Sequence, residues 1–186
     1  MSPARSGTGH DAAGLVRFWS AAGPGRWFAK DAAFDRRFRD AYADAHRCAA
    51  RRELDGWLAS PEDTLALLLL TDQYPRNAFR GTARMYATDP LARQFARTAL
   101  AKRFADAFEA PLRVFFCLPF AHSEDLADQE LSVRLHASIG EPWLSHARGH
   151  RDIVRRFGRF PHRNALLGRT TTADERAFLE AGGFAG

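Results

Sequence analysis

Residues 61–74, PEDTLALLLLTDQY, are apolar on nearly every side between Leu65 and Leu70. A helix that is apolar all round has to be buried all round, so the rest of the chain must be built about this one. Ser60-Pro61-Glu62-Asp63 marks its start, with serine as N-cap, proline in the first turn and two acids against the positive end of the helix dipole. The apolar run is far shorter than the roughly 20 residues that span a bilayer. It therefore predicts a core helix and no membrane partner. Pro75 is expected to interrupt it.

The other strong periods are helical too. Leu15, Phe18, Trp19 and Ala22 share one helical face, and Phe34, Phe38, Ala41, Tyr42 and Ala45 share another. Gly23-Pro24-Gly25 ends the first of these. Asp89-Pro90 starts a helix through Leu91, Phe95 and Ala99, and Pro111 begins a short PLRVFFCL segment. Ser123 is placed to cap a helix running to about Ile139, with Gly140 as its stop. Pro142 opens the next, whose inward face is Trp143, Ala147, His150, Val154 and Phe157 and whose end is Gly158. Thr172-Ala173-Asp174-Glu175 forms a capping box for a last helix through Leu179. No repeat near 34 residues stands out. The pattern predicts an all-α single domain of seven or eight helices over residues 13–186, preceded by a disordered tail at 1–12.

A chain of 186 residues is long enough for one well-filled core. Its first fourteen residues lack the apolar stretch of a signal peptide. There are two cysteines, Cys48 and Cys117, and the second lies in VFFCLPF, so a buried reduced thiol and a cytoplasmic setting are expected. Net charge is +5, with 25 Arg against two Lys. Residues 146–169 hold seven Arg and three His against one acid, Asp152. This local surplus predicts an anionic partner, or a buried acid contributed by another part of the fold. The aromatic residues keep core spacing, which argues against nucleic acid.

Three polar blocks interrupt the apolar pattern. DQYPRNAFRGTARMYATD (72–89) follows the central helix. Asp72 is costly there unless paired, and Arg76 and Arg80 lie within one or two turns. Either an ion pair fixes the break at Pro75, or Arg76 and Asn77 form the polar wall of a pocket. HSED (122–125) offers His122 and Glu124 as base and acid, but no defined metal-ligand spacing. His146 and His150 are four apart without the Glu of a zinc-binding HExxH, and Arg148 would repel a cation, so no metal is expected. In RFGRFPHRN (156–164), Gly158, Pro161 and two anchoring phenylalanines would fix Arg159, His162, Arg163 and Asn164 on a rigid loop. The alternative is that these groups tie the chain down by pairing with Glu124 or Asp72. No Walker loop, GxGxxG, GxSxG or zinc ribbon occurs, and no cofactor is expected.

The words LVRFWSAA, RWFAKDAAFD, LALLLLTDQYPRNAFRGTARMYATDPLA, FFCLPFAHSEDLADQELSV and HxxIVxRFGRFPHRNxLLGRTTTxxExxFL run from residue 15 to 179. They resemble the bacterial family catalogued as domain of unknown function 924. Gly23-Pro24-Gly25 is shorter and less charged than the family's usual first loop. The resemblance implies a tetratricopeptide-like fold of antiparallel helical hairpins and no established activity. Its signature residues map onto Asp72, Gln73, Arg76, Asn77, Arg80, His122, Ser123, Glu124, Gln129, His150, Arg159, His162, Arg163, Asn164 and Arg169. So polar a signature looks more like a ligand pocket than a scaffold.

Two functional classes follow. The first is a cofactor-independent enzyme, or an enzyme-like binder, acting on a small anionic molecule. There Arg159 and Arg163 would hold the anion, while His122 or His162 with Glu124 would move protons. Asp72, Gln73, Arg76, Asn77, Arg80, Gln129, His150, Asn164 and Arg169 would complete the pocket. The second is a helical interaction protein that takes an acidic peptide or a C-terminal carboxylate in a basic groove. Both require HSED and RFGRFPHRN to meet in space.

Overall fold

The computed structural model describes residues 10–186. Most of the tail expected at 1–12 lies outside the described residues, and Asp11 already caps the first helix by accepting from Gly14 N at 2.8 Å. The helices are α1 (Ala12–Ala22), α2 (Pro24–Trp27), α3 (Ala32–Ala50), α4 (Pro61–Leu68), α5 (Tyr74–Ala78), α6 (Asp89–Ala101), α7 (Ala110–Arg113), α8 (Leu118–Ala121), α9 (Leu126–Ala137), α10 (Trp143–Phe157) and α11 (Ala173–Glu180). Seven of them run eight residues or more, and no strand occurs among the described residues. The chain is an all-α single domain.

Leu65 to Leu70 are at most 1 % exposed, as an all-round apolar helix requires. α1 and α6 pack on α4, α3 packs on α5, and α9 pairs with α10 as a hairpin of sequence neighbours. Aromatic side chains fill the space between α1, α2 and α3. Trp19 meets Phe115 edge-on at 5.5 Å and Phe38 at 5.1 Å, and the Trp27 indole donates to the Trp19 carbonyl at 2.7 Å.

Pro75 does not interrupt the central helix. Between α4 and α5 the backbone widens into a π-turn at Leu69–Gln73, where Tyr74 N–H reaches back five residues to Leu69 O. Pro75 then sits in the first turn of α5, where its missing N–H costs nothing. With Tyr74 N–H taken by Leu69 O and no N–H on Pro75, Leu70 O and Thr71 O lack their usual helical donors, and side chains supply them. His46 Nδ1 donates to Leu70 O at 2.9 Å, the Thr88 hydroxyl to Thr71 O at 2.6 Å, and Arg76 Nη1 to Asp72 O at 2.7 Å. Each of these three buried carbonyls thus has a side-chain partner from another element or the following turn.

Most of the expected helix ends hold. Ser60 caps α4 through Asp63 N at 3.2 Å, Gly158 ends α10 in the left-handed region at φ 70°, and Thr172 and Glu175 close a capping box on α11. Ser123 is not the cap of α9. Asp125 takes that role, accepting from Asp128 N at 3.0 Å, while the Ser123 hydroxyl is drawn inward to Asp128 Oδ2 at 2.8 Å. Asp128 is buried and also faces Arg93 and Arg97, and the Ser123 hydroxyl, while donating to it, accepts from Asp125 N at 3.2 Å, so it braces the turn before the helix. No helix among the described residues is long and apolar enough to cross a membrane.

Candidate functional site

A cavity of about 470 Å³ opens where α5, α8, α10 and the loop after α10 converge. Gln73, Arg76, Asn77 and Arg80 come to its wall from the π-turn and α5, Met85 and Tyr86 from the turn that follows, and His122 from the end of α8. His136 arrives from α9, and Trp143, His146, Ala147 and His150 from α10. Phe160, His162 and Arg163 complete the wall with Trp27, Phe28, Phe184 and Gly186. By area the wall is mostly apolar, with arginine and histidine side chains converging on it, a make-up common among small-molecule sites.

Behind this wall lies a buried acid. Asp72 is 1 % exposed and its Oδ1 sits 2.7 Å from His122 Nδ1 and 3.2 Å from Arg76 Nη1, while Gln73 donates to Oδ2 at 2.6 Å. Burial opposes its charge, but Arg76 and His122 outweigh that and hold the carboxyl well below the usual range. An ionised carboxylate only accepts, so His122 carries its proton on Nδ1 and turns Nε2 outward as the basic nitrogen. Burial and the Arg76 charge depress the His122 pKa and keep the ring neutral. Arg76 also grips Asp89 with two bonds, 2.8 and 3.0 Å. Asp89, read from the sequence only as a helix start, is therefore the second acid of the network.

Arg163 is held differently. It is 7 % exposed and its guanidinium lies 4.5 Å from the centroids of both Tyr86 and Phe160. Asp89 Oδ2 is 3.8 Å from its Nη1, too far for a hydrogen bond. Its Nε is buried with no partner among the described residues, and the same holds for His150 Nδ1 and His162 Nδ1. Burial, then neighbouring positive charge, lowers the His150 pKa to about 3 and that of His162 to about 4. The cavity wall thus presents neutral imidazoles and a buried cation that has no hydrogen-bonded acid.

HSED and RFGRFPHRN do meet, through partners other than those expected. Glu124 accepts from Phe160 N at 2.8 Å and takes a two-bond grip from Arg169 at 2.6 and 3.0 Å. Those contacts outweigh its burial and lower its pKa. Glu124 is therefore no proton donor beside His122; Asp72 is the acid that orients that ring. Arg159 is claimed by Glu175 at 2.6 and 2.9 Å, so it does not hold an anion at the wall. Asn164 bonds Glu175 at 3.1 Å and Arg169 at 2.9 Å. Gln129 donates to Ala121 O and Ser123 O at 2.8 and 2.6 Å. Glu124, Gln129, Arg159, Asn164 and Arg169 lie outside the lining and fix the two loops that carry it. Asn77 and Arg80 reach the wall, yet both bond Asp35, at 2.6 and 2.5 Å.

Of the expected residues, Gln73, Arg76, Asn77, Arg80, His122, His150, His162 and Arg163 line the cavity, with Asp72 directly behind. Sequence reasoning missed Tyr86, Trp27 and Phe184 in the lining and Asp89 in the network behind it. Asp89 left a trace, since Thr88-Asp89-Pro90 follows a cation-rich stretch. Phe184, in a glycine-flanked segment beyond the last helix, left none. Among the described residues no three His, Cys, Asp or Glu are grouped to hold a metal ion.

No curated protein matches the chain. The solved structure of a protein of unknown function from Agrobacterium tumefaciens is similar to it, at 59 % identity and a TM-score of 0.91, over 92 % of this chain and 97 % of that one. A family model described as "Bacterial protein of unknown function (DUF924)" matches residues 15–183. With nearly every helix inside that match, the chain belongs to the DUF924 family.

Proposed function

We propose that the cavity binds a small anionic molecule at Arg163 and that His122, oriented by Asp72, moves a proton on it without a cofactor. One observation carries this reading: Arg163 lies at a cavity wall, clamped between two rings, and makes no side-chain hydrogen bond among the described residues. A desolvated guanidinium pre-positioned in this way gains more from an incoming anion than one already paired. In the chemical step, His122 Nε2 takes a proton from the bound molecule or from a water. The imidazolium that forms is stabilised by Asp72 at 2.7 Å. Two free cysteines, with the Cys117 thiol pushed up to about 12 by burial, fit a reducing cytoplasmic setting.

Ligand-dependent thermal stability tests the reading, because a ligand of the folded state raises the melting temperature. Acetate, against sodium chloride of equal ionic strength, is expected to stabilise the parent protein and not Arg163→Met. An equal response in both proteins would defeat the proposal.

A second reading, recognition of an acidic peptide or C-terminal carboxylate in a tetratricopeptide-like groove, has one observation in its favour. Phe184 and Gly186, in a segment without helical structure, already lie against the cavity, with the Phe184 ring 4.7 Å from His150 and 5.1 Å from His162. Titration with short acidic peptides distinguishes the two, since the first reading expects no binding beyond that of acetate.

A further inference from the structure

We infer that the molecule the cavity takes is an aromatic monocarboxylate, its single charge at Arg163 and its ring among Phe28, Trp143 and Phe184. This rests on the anion-site reading above and adds the ligand's class to it.

The charge follows from which cations are already engaged. Arg76 donates to both oxygens of Asp89, and Arg80 donates to Asp35. Asp72 and Asp89 balance Arg76 and Arg163 in number. Among the described residues of the wall, Arg163 is the one arginine without a hydrogen-bonded acid. The histidines beside it are kept neutral by burial, so they donate hydrogen bonds and add no charge. With the charges already balanced in number, the ligand's own charge is best kept to one, a single carboxylate set against the unmade hydrogen bonds of Arg163. A phosphate monoester would bring close to two into a site already holding two buried carboxylates.

The body of the ligand follows from the remaining wall. Phe28 and Trp143 meet at 5.2 Å with their planes tilted by 57°, and Phe28 is 46 % exposed. Phe184, 41 % exposed, leans on His150 and His162. These are large apolar rings left uncovered at the rim of one cavity, and they offer faces and edges to another ring. About 470 Å³ lies in the range of small-molecule sites, roughly 300–1,000 Å³, and is much larger than acetate or inorganic phosphate fills.

Calorimetric titration of the full chain tests this with benzoate, phenylacetate and cinnamate, against acetate, cyclohexanecarboxylate, phenyl phosphate and benzyl alcohol. The arylcarboxylates are expected to bind at least tenfold more tightly than any of the four controls. Trp143→Ala should weaken them about tenfold and leave acetate unchanged. Phe28→Ala, a change at the exposed rim, serves the same purpose should Trp143→Ala fold poorly. Arg163→Met should weaken arylcarboxylates and acetate alike. If acetate or cyclohexanecarboxylate equals benzoate, the anion site stands and the aromatic class is wrong. Equal binding of phenyl phosphate overturns the single charge. Benzyl alcohol binding as well as benzoate, or no probe binding at all, overturns this inference and the anion site together.

Discussion

His122 Nδ1 and Asp72 Oδ1 lie 2.7 Å apart although fifty residues separate them in the chain. The pair joins the π-turn of the central helix to the end of α8 and fixes which imidazole nitrogen faces the cavity. Asp72→Asn keeps the shape and removes the obligatory acceptor. Nitrogen NMR of the imidazole is expected to show one neutral tautomer, protonated at Nδ1, in the parent and a mixture in the variant. The same tautomer in both would mean that Asp72 does not orient the ring.

Arg76 and Arg163 look alike in the sequence and differ in the structure. Arg76→Met strands Asp72 and Asp89, both at most 5 % exposed, and should cost about 3–5 kcal/mol. For a chain of this size that lowers the melting temperature by roughly 6–20 °C. Arg163→Met leaves Asp89 both of its bonds to Arg76 and removes a buried Nε without a partner, so its cost should stay within about 1 kcal/mol. Thermal melts of the two variants check the contrast.

Acid should destabilise the protein through its histidines before its carboxylates. His46, His122, His136, His150 and His162 all have folded-state pKa values below 6.5, with burial as the largest cause. Below pH 6.5 the unfolded chain binds protons that the folded one refuses. Stability is therefore full above 6.5 and lost as pH falls toward the values of about 3 and 4 at His150 and His162. Each such histidine contributes a slope of about 1.4 kcal/mol per pH unit. Chemical denaturation between pH 7 and 4 should show this slope, made shallower by His150→Phe.

Glu124→Gln tests the loop anchor. It removes the charge that Arg169 grips and weakens the acceptor of Phe160 N–H, for an expected loss of about 1.5–3 kcal/mol. Amide exchange at Phe160 should accelerate selectively. Unchanged protection there would place the anchor elsewhere.

Thr88→Val removes the donor to Thr71 O at the widest part of the central helix and should cost about 1–3 kcal/mol. A neutral outcome in urea denaturation would mean that the carbonyl finds another partner.

Helical periodicity and caps make the fold legible because both are local: Ser60, Gly158 and Thr172 act within a turn of where they stand. The polar blocks identify most of the cavity's cations and imidazoles for a related reason, as charged side chains beside apolar anchors have few places to go. Pairing is not local. Nothing near Glu124 marks Arg169 as its partner, and the surplus of arginine after α10 gives several equivalent choices. The π-turn is hidden as well, because Leu69 and Leu70 suit either kind of helix and only the distant His46 and Thr88 supply its missing donors.

That turn inserts one residue into an otherwise continuous ladder, and one residue of an α-helix is a rotation of about 100°. Were Leu69–Gln73 wound as an ordinary α-helical turn with no residue lost, everything after it would be turned by that angle about the helix axis. Arg76 and Asn77 would then leave the cavity wall, and Pro75 would stand in the interior of a regular helix, where its ring meets a carbonyl. One extra residue, taken up by the wide turn, is what aims the polar wall.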